Sequence, residues 1–449
     1  MKRILIHNAL VVNENRKYLG YLVISGKFIE SVAEGVAPEE LANSCDEVIN
    51  AEGKMLIPGV IDDQVHFRDP GLTHKADIET ESRAAIAGGV TSFMDMPNTK
   101  PAAVSLETLE AKYTRASEVS HANYSFFIGG TNSNLDTLLA VDYKKVCGVK
   151  LFLGSSTGNM LVDDKNTIAQ IFEKVPAIIA IHSEDEDIIN RNREEFKAKY
   201  GDDLPVQYHP LIRNEEACYV CTQRATTLAR KFGTRLHILH LSTAKELELL
   251  DRNMPLAEKK ITGEVCVHHM WFTDQDYEKY GNRIKCNPAI KTTVDRDALR
   301  QALNDDVLDI VATDHAPHLL SEKEGNCLKA ASGMPLVQFS FLMMLEMALQ
   351  GIFSTEKVIE KMCHAPAELY RIDKRGYLRP GYYADVVLVD PAAEYHVTAD
   401  DVLSRCGWSP LEGTTFHSKV TDTFVNGVRV FKNGKATAAR AAERLEFNN

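Results

Sequence analysis

The feature that most constrains the fold is an alternation of apolar, strand-like segments with amphipathic segments through the middle of the chain. This alternation is typical of parallel β/α units. We predict an α/β fold of the (β/α)8 barrel type, with a doubly wound open sheet as the alternative. No GxGxxG motif follows the first segment, which counts against a dinucleotide-binding sheet. The eight predicted strands are MLIPGVID, VTSFMDMP, NYSFFIGG, GVKLFLG, AIIAIHSE, RLHILHLS, KITGEVCVHH and VLDIVATDHAPH.

The two ends of the chain share a different pattern. Residues 1–56 and 379–449 contain short β-branched segments separated by polar turns. The pairs Asn426-Gly427 and Asn433-Gly434 are hairpin signals. We predict that both ends form one small β domain and that residues 57–378, inserted between them, form the barrel.

Composition narrows the class of partner. The chain has 449 residues, 44% of them hydrophobic, and a formal net charge of −12. Enough apolar surface is present to build a core, whereas nucleic-acid and membrane-surface binding rely on clustered positive charge. No signal peptide or transmembrane segment is expected, and nine dispersed cysteines indicate reduced thiols. We predict a cytoplasmic protein with a small-molecule partner, and we assign the Cys218-x-x-Cys221 pair to helix packing.

Polar, titratable side chains recur near the C-terminal ends of the predicted strands. A barrel brings these ends to one face, where active sites form. A single histidine there is more simply a hydrogen-bonded core histidine, but recurrence over five strands is hard to explain by packing. Converging imidazoles and carboxylates are the ligands of a hydrolytic metal site, with zinc the first choice. The side chains are Asp62, Asp63, Gln64, His66, Arg68, Asp95, Asn98, Lys150, His182, Glu184, His237, His240, His268, His269, Asp314, His315 and His318.

Lys150 stands inside the apolar run CGVKLFLG, where a buried cation is costly. Two readings stay open from the residues alone. Lys150 is either a surface lysine that extends to solvent, or a neutral lysine modified by CO2. A carboxylated lysine is an anionic oxygen ligand able to bridge two metal ions.

Several motifs together resemble the amidohydrolase superfamily and, within it, the dihydroorotases. They occur in family order over nearly the whole chain. The resemblance implies a distorted (β/α)8 barrel with a small β-sandwich built from both chain ends. It also implies zinc-dependent, reversible hydrolysis of a cyclic amide, dihydroorotate, in pyrimidine biosynthesis. The motifs are PGVIDDQVHFRDPG, MPNT, GVKLFLG, IHSE, HILHLS, NPAI, ATDHAPH and GYYADVVLVD.

Matched residue by residue, the resemblance implies a metal site and a substrate site. Asp314 is implied as a metal ligand that also moves the proton, and Lys150 as carboxylated and bridging. Arg68 suits a carboxylate because its planar fork binds bidentately, the alternative being a structural salt bridge. For Gly333 the alternative is a helix-entry turn. The implied metal ligands are His66, Lys150, His182, His240 and Asp314; the implied substrate-binding residues are Arg68, Asn98, Asn287, His318 and Gly333. His237, which we read as structural or supporting, and His268 and His269 carry no role from this match.

One position departs from the family pattern DxHxH: Gln64 stands where the first histidine is expected. An amide oxygen is a weaker zinc ligand than imidazole, so one metal position is weakened. The chain then holds two ions, holds one ion, or is an inactive relative that binds aspartate transcarbamoylase. A second competitor is another cyclic amidohydrolase, such as a hydantoinase or allantoinase, whose substrate gives Arg68 no carboxylate. The resemblance also suggests a homodimer.

Overall fold

The computed structural model describes residues 2–154 and 160–449. Its strands fall into a large sheet, a barrel and a separate two-stranded sheet. Their bounds are β1 (Arg3–Asn13), β2 (Arg16–Ser25), β3 (Phe28–Glu34), β4 (Glu47–Asn50), β5 (Met55–Pro58), β6 (Val60–Val65), β7 (Val90–Asp95), β8 (Asn123–Phe126), β9 (Ile128–Gly129), β10 (Val149–Phe152), β11 (Ile179–His182), β12 (Leu236–Ile238), β13 (Ile261–Cys266), β14 (Ile310–Ala312), β15 (Val386–Asp390), β16 (Tyr395–His396), β17 (Thr415–Phe416), β18 (Lys419–Val425), β19 (Val428–Lys432) and β20 (Lys435–Ala436).

Helices follow most barrel strands. The helix α2 begins at the capping box of Asp77 and Thr80, and α3 at that of Ser105 and Thr108, so exposed backbone N–H groups are satisfied at both starts. The bounds are α1 (Glu39–Asn43), α2 (Ile78–Ala87), α3 (Leu106–Val119), α4 (Leu135–Leu139), α5 (Lys165–Lys174), α6 (Glu186–Tyr200), α7 (His209–Ile212), α8 (Glu215–Phe232), α9 (Val267–Trp271), α10 (Tyr277–Tyr280), α11 (Thr293–Asn304), α12 (Ser340–Leu349), α13 (Thr355–Ile359) and α14 (Ala365–Tyr370).

The central strands close into a ring. Parallel pairing joins β6, β7 and β8, and a second parallel set runs from β9 to β14. Only Phe127 separates β8 from β9, so the two sets are continuous. A parallel bridge between Val65 and His315, with the His66 N–H donating to His315 O at 2.7 Å, closes the ring. The predicted barrel is therefore confirmed, and the open-sheet alternative is wrong because no free edge remains between the first and last strands.

The chain ends meet in one nine-stranded sheet. Strand β5 pairs with β1 near one end of the chain and with β15 near the other. Both predicted Asn-Gly hairpins are present: Asn426-Gly427 joins β18 to β19, and Asn433-Gly434 joins β19 to β20. All four turn residues have positive φ, the conformation that a two-residue hairpin requires.

Barrel strands are buried on both faces, which accounts for the many apolar residues along them, while β6 also buries Asp62, Asp63 and Gln64. Cys218 and Cys221 are buried along α8, in agreement with a packing role. Over the described residues, no helix has the length and apolarity needed to cross a bilayer.

Candidate functional site

A cavity of about 400 Å³ opens at the C-terminal ends of the barrel strands. The structure brings all ten predicted site residues to its wall, although they are separated by up to 267 positions in sequence. Their individual roles stay predictions. They are His66, Arg68, Asn98, Lys150, His182, His240, Asn287, Asp314, His318 and Gly333.

Two imidazoles face each other on one side of the cavity. His182 Nδ1 lies 3.0 Å from His240 Nε2. The other nitrogen of His182, Nε2, lies 2.9 Å from Glu184 Oε2. A carboxylate in this position holds the ring with Nδ1 directed away from it, as carboxylates do for metal-binding histidines. Glu184 is itself charged: burial would raise its pKa, but Arg213 and His182 outweigh burial and lower the pKa to about 2.

A second pair of donor atoms lines the same cavity. His66 Nε2 is 3.0 Å from Asp314 Oδ1, and His66 Nδ1 is 2.8 Å from Asn98 Oδ1. Both pairs of donor atoms are therefore close to the ligand-to-ligand spacing of roughly 3.3 Å around zinc. The donor chemistry and spacing fit a metal centre.

Gln64 contacts this second pair through its amide nitrogen. Gln64 Nε2 donates to Asp314 Oδ1 at 3.2 Å, while the Cys266 thiol donates to Gln64 Oε1 at 3.8 Å. An amide nitrogen has no lone pair available for a metal. In this orientation Gln64 holds the Asp314 carboxylate and does not replace the missing imidazole.

Lys150 projects from β10 into the cavity and is 1% exposed. Its ammonium lies 4.8 Å from the centre of the Phe152 ring, and the described residues place no carboxylate within ion-pair distance of it. Burial lowers the pKa of Lys150 to about 7, although Asp314 and Glu264 oppose the shift. Of the two readings left open by the sequence, the surface lysine is excluded by this burial.

Arg68 also lines the cavity and is 7% exposed. Its Nε donates to Pro317 O at 3.1 Å. Within the described part of the chain, no carboxylate lies within 4.0 Å of the guanidinium, so the structural salt bridge weighed above is absent there. A buried guanidinium without a counter-ion is a binding group for an anion.

His318 beside Arg68 is held neutral. Burial, Arg68 and Lys75 all lower its pKa far below the ordinary value. Lys75 Nζ lies 3.1 Å from His318 Nδ1, which must accept, so His318 Nε2 carries the hydrogen and donates to Ser332 O at 3.1 Å. The 3.1 Å contact between Arg68 Nη2 and His318 Nε2 then joins two donors, of which the His318 Nε2–H is already donated to Ser332 O.

The remaining predicted residues also line the cavity. Asn287 Oδ1 accepts from His209 Nε2 at 3.0 Å, so its amide N–H groups are not used in this contact. The Gly333 N–H donates to Lys285 O at 2.8 Å and its carbonyl accepts from Lys323 Nζ at 2.7 Å, so only the second lone pair of the carbonyl remains for a ligand. Glycine is required here because φ is 133° and a Cβ would lie 2.6 Å from Ala316 O.

Sequence reasoning missed four basic residues of the wall, Arg193, His209, Arg213 and Lys285. They lie on α6, on α7 or on loops, where no strand ending marks them. Arg213 donates to Glu184 at 2.6 Å and so supports His182. The only available signal was charge within otherwise apolar surroundings.

Three cavity residues have left-handed backbone. The φ angles are 66° at Arg68, 40° at His240 and 47° at Asp314. This conformation costs a non-glycine residue about 1–3 kcal/mol and occurs preferentially at functional sites. Each residue follows the end of a barrel strand, where the turn redirects its side chain.

Two further clusters of potential metal ligands are fully buried outside the predicted ligand set. One consists of Cys266, His268 and His269, and the other of Asp63, His237 and Glu264. The second cluster contains His237, which the sequence analysis interpreted only as a structural or supporting residue.

Comparison with known proteins identifies the relatives of this chain. The model of the amidohydrolase family matches residues 55–430. A dihydroorotase of Methanosarcina acetivorans is 32% identical over 382 residues, covering 83% of this chain and 80% of that protein. A dihydroorotase of Pyrococcus abyssi is 32% identical over 404 residues, covering 89% of each.

Solved structures show the same fold. An L-hydantoinase (dihydropyrimidinase) from Arthrobacter aurescens superposes with a TM-score of 0.91 at 23% identity, covering 99% of this chain and 100% of that one. A dihydropyrimidinase from Brevibacillus agri gives a TM-score of 0.87 at 23% identity. At this identity the likeness concerns the fold alone.

Proposed function

Because this chain belongs to the amidohydrolase family, we propose that it is a dihydroorotase, a hydrolase of cyclic amides. The reaction adds water to the ring amide of dihydroorotate and yields N-carbamoyl-aspartate, reversibly. The relatives named dihydroorotase match most of the chain at about one-third identity. The hydantoinases share the fold at lower identity.

The single observation that carries the proposal is Arg68. A buried guanidinium without a carboxylate partner in the described chain faces the cavity. Dihydroorotate has an exocyclic carboxylate for this position, whereas a hydantoin ring has none. Asn98 and His318 line the same cavity and are proposed to contact the same carboxylate, His318 by turning to it the Nε2–H that here donates to Ser332 O.

We propose that the metal is zinc. His182, His240 and Lys150 would hold one position, and His66, Lys150 and Asp314 a second, weaker one. When bound, zinc lowers the pKa of water from 15.7 toward about 7 and polarises the scissile carbonyl. Because Gln64 stands in place of a histidine, the second metal position lacks one imidazole ligand. The number of zinc ions bound per chain is therefore the quantity to measure.

Asp314 performs the proton transfer in this proposal. Its carboxylate accepts a proton from the attacking water and delivers it to the departing ring nitrogen. Gln64 Nε2 donates to Oδ1 at 3.2 Å and fixes its orientation. One carboxylate serves both directions of the reversible reaction. Asn287 and the Gly333 carbonyl orient the ring.

Lys150 is proposed to carry a carboxylate. With a pKa lowered by burial to about 7, its amine is largely neutral above that pH. The neutral nitrogen attacks CO2 and loses one proton, which leaves a carbamate oxygen ligand. Protein equilibrated with ¹³C-bicarbonate should show a carbamate signal by NMR, absent in Lys150→Gln. If both proteins show the same signals, Lys150 is not the modified residue.

The function is tested on one purified sample by measuring dihydroorotate turnover together with zinc content. Turnover with bound zinc supports the proposal, and the stoichiometry fixes the number of ions. Turnover of hydantoin or allantoin but not dihydroorotate would instead assign another cyclic amide. Absence of turnover after supply of zinc and bicarbonate, with co-purifying aspartate transcarbamoylase, would identify a non-catalytic scaffold.

Three further expectations are proposals of the same kind. The domain division is 1–56 plus 379–449 and 57–378, with β5 crossing the first boundary. We also propose a homodimer and a cytoplasmic location. Sedimentation of the purified chain tests the dimer.

A further inference from the structure

We propose that Asp63, His237 and Glu264 form a second, structural zinc site, sealed within the barrel and separate from the cavity centre. The three side chains come from β6, β12 and β13. Each is 0% exposed. None of them lines the cavity.

The contact with Thr262 determines which nitrogen of the His237 ring carries a hydrogen. Thr262 Oγ1 lies 2.8 Å from His237 Nδ1 and donates its own hydrogen to Leu236 O at 3.3 Å. Thr262 Oγ1 must therefore accept from His237, so His237 Nδ1 carries a hydrogen. The other ring nitrogen, Nε2, faces the two carboxylates with either its lone pair or a second hydrogen.

Nε2 lies 3.4 Å from Asp63 Oδ2 and 3.7 Å from Glu264 Oε2. A neutral imidazole would direct a lone pair at two anions, which is repulsive, so a positive centre must lie among these atoms. A proton on Nε2 would be shared over distances longer than the 2.7–3.2 Å typical of such hydrogen bonds. The edges of a tetrahedron around zinc are about 3.3–3.6 Å, close to both distances.

Other contacts of the cluster leave ligand atoms available. Tyr370 donates to Asp63 Oδ2 at 2.7 Å, and the His240 N–H donates to Glu264 Oε1 at 2.9 Å. In the described chain, Asp63 Oδ1, His237 Nε2 and Glu264 Oε2 have no hydrogen-bond partner although all are buried. Such atoms are rare in folded proteins and call for an ion or water. Asp63 Oδ1 can complete the coordination as the second oxygen of its carboxylate.

Charge supports the same conclusion. Two ionised carboxylates buried beside one neutral imidazole would leave a net negative charge in a dry environment, which is strongly unfavourable. One divalent ion balances both carboxylates with the histidine neutral. Imidazole with carboxylates suits zinc, and a closed set of protein ligands is typical of structural zinc. Zinc here would tie three strands together beneath the cavity.

The decisive measurement uses wild-type crystals grown from protein expressed with zinc, with diffraction recorded above and below the zinc absorption edge. The expected result is an anomalous peak bounded by Asp63, His237 and Glu264, distinct from any peak at His182 and His240. A map with zinc at the cavity but none at the buried cluster would overturn the proposal. Zinc at Cys266, His268 and His269 in place of the buried cluster would overturn it equally.

A matched pair of variants gives an independent measurement in solution. Asp63→Asn removes one ligand charge, whereas Asp62→Asn alters the neighbouring buried carboxylate, which accepts from Thr313 at 2.6 Å outside the cluster. After dialysis against a chelator, Asp63→Asn should retain one zinc per chain fewer than wild type, and Asp62→Asn the wild-type number. Equal zinc content in all three proteins contradicts the site. If Asp63→Asn does not fold, the wild-type anomalous map decides.

Discussion

Two buried polar networks in this molecule can be compared directly. One joins the terminal sheet to the barrel through Arg375, Asp385, Asn123 and Asn426. Asp385 receives hydrogen bonds from the Asn123 side chain at 3.2 Å, from the Asn426 N–H at 2.9 Å and from Arg375. Asn426 in turn donates to Asn123 Oδ1 at 2.8 Å. Every charge has a partner.

The cavity network is different. Arg68 and Lys150 are as deeply buried, yet in the described chain neither has a carboxylate within ion-pair distance. A network in which every charged group is paired stabilises the fold. A network that leaves cations without a carboxylate partner beside a cavity can bind an anionic ligand there. Burial of charge alone therefore does not mark a functional site, but incomplete pairing does.

The largest expected effect tests the cavity network. Asp314→Asn removes the proposed proton acceptor, and turnover of dihydroorotate should fall by on the order of 10²–10⁴-fold. Steady-state kinetics measure the loss, and circular dichroism checks that the barrel is intact. Normal turnover would contradict the assignment of Asp314 as the base.

The second effect tests the satisfied network. Arg375→Met leaves the Asp385 carboxylate buried without its cation and should lower the free energy of unfolding by about 3–5 kcal/mol. Urea denaturation measures it. The matched control is Arg379→Met, whose partner Glu14 is half-exposed, with an expected change of about 0–1 kcal/mol. Equal losses in both variants would mean that the buried Arg375–Asp385 pair stabilises the fold no more than the exposed Arg379–Glu14 pair.

A smaller effect concerns the unpaired cation. Arg68→Met should raise KM for dihydroorotate by roughly 10–100-fold, since hydrogen bonds to a charged group contribute about 1.5–3 kcal/mol. Zinc content should not change. Arg193→Met is the control, because Arg193 also lines the cavity but donates to Asn190 and Glu186. Loss of zinc from Arg68→Met would show that Arg68 supports the metal centre instead.

The smallest effect concerns the departure from the family pattern. Gln64→His supplies the missing imidazole, so zinc loss to a chelator should slow by on the order of tenfold. Gln64→Asn, which adds no imidazole, serves as the control. Zinc loss at the wild-type rate in Gln64→His would mean that the second metal position does not need this residue.

Much of the molecule was predictable because its signals are local. The eight barrel strands are short apolar runs that end in polar residues, and the two Asn-Gly turns fix their hairpins by backbone conformation. The family resemblance then implied ten site residues, and in the structure all ten line the same cavity. Arg193, His209, Arg213 and Lys285 were missed because helices and loops bring them there, and neither periodicity nor strand ends report such approaches.

The sequence by itself determined the order of strands and helices, the hairpins and the set of polar residues at the strand ends, because each depends on neighbouring residues. Only the tertiary structure decided which charges are paired. Arg68 and Arg375 are both arginines close to a proline or glycine turn, and nothing local distinguishes them. Arg375 meets Asp385 and Asn426, 10 and 51 positions away, and Asn123 reaches the same carboxylate across 262 positions, whereas the fold leaves a cavity in front of Arg68.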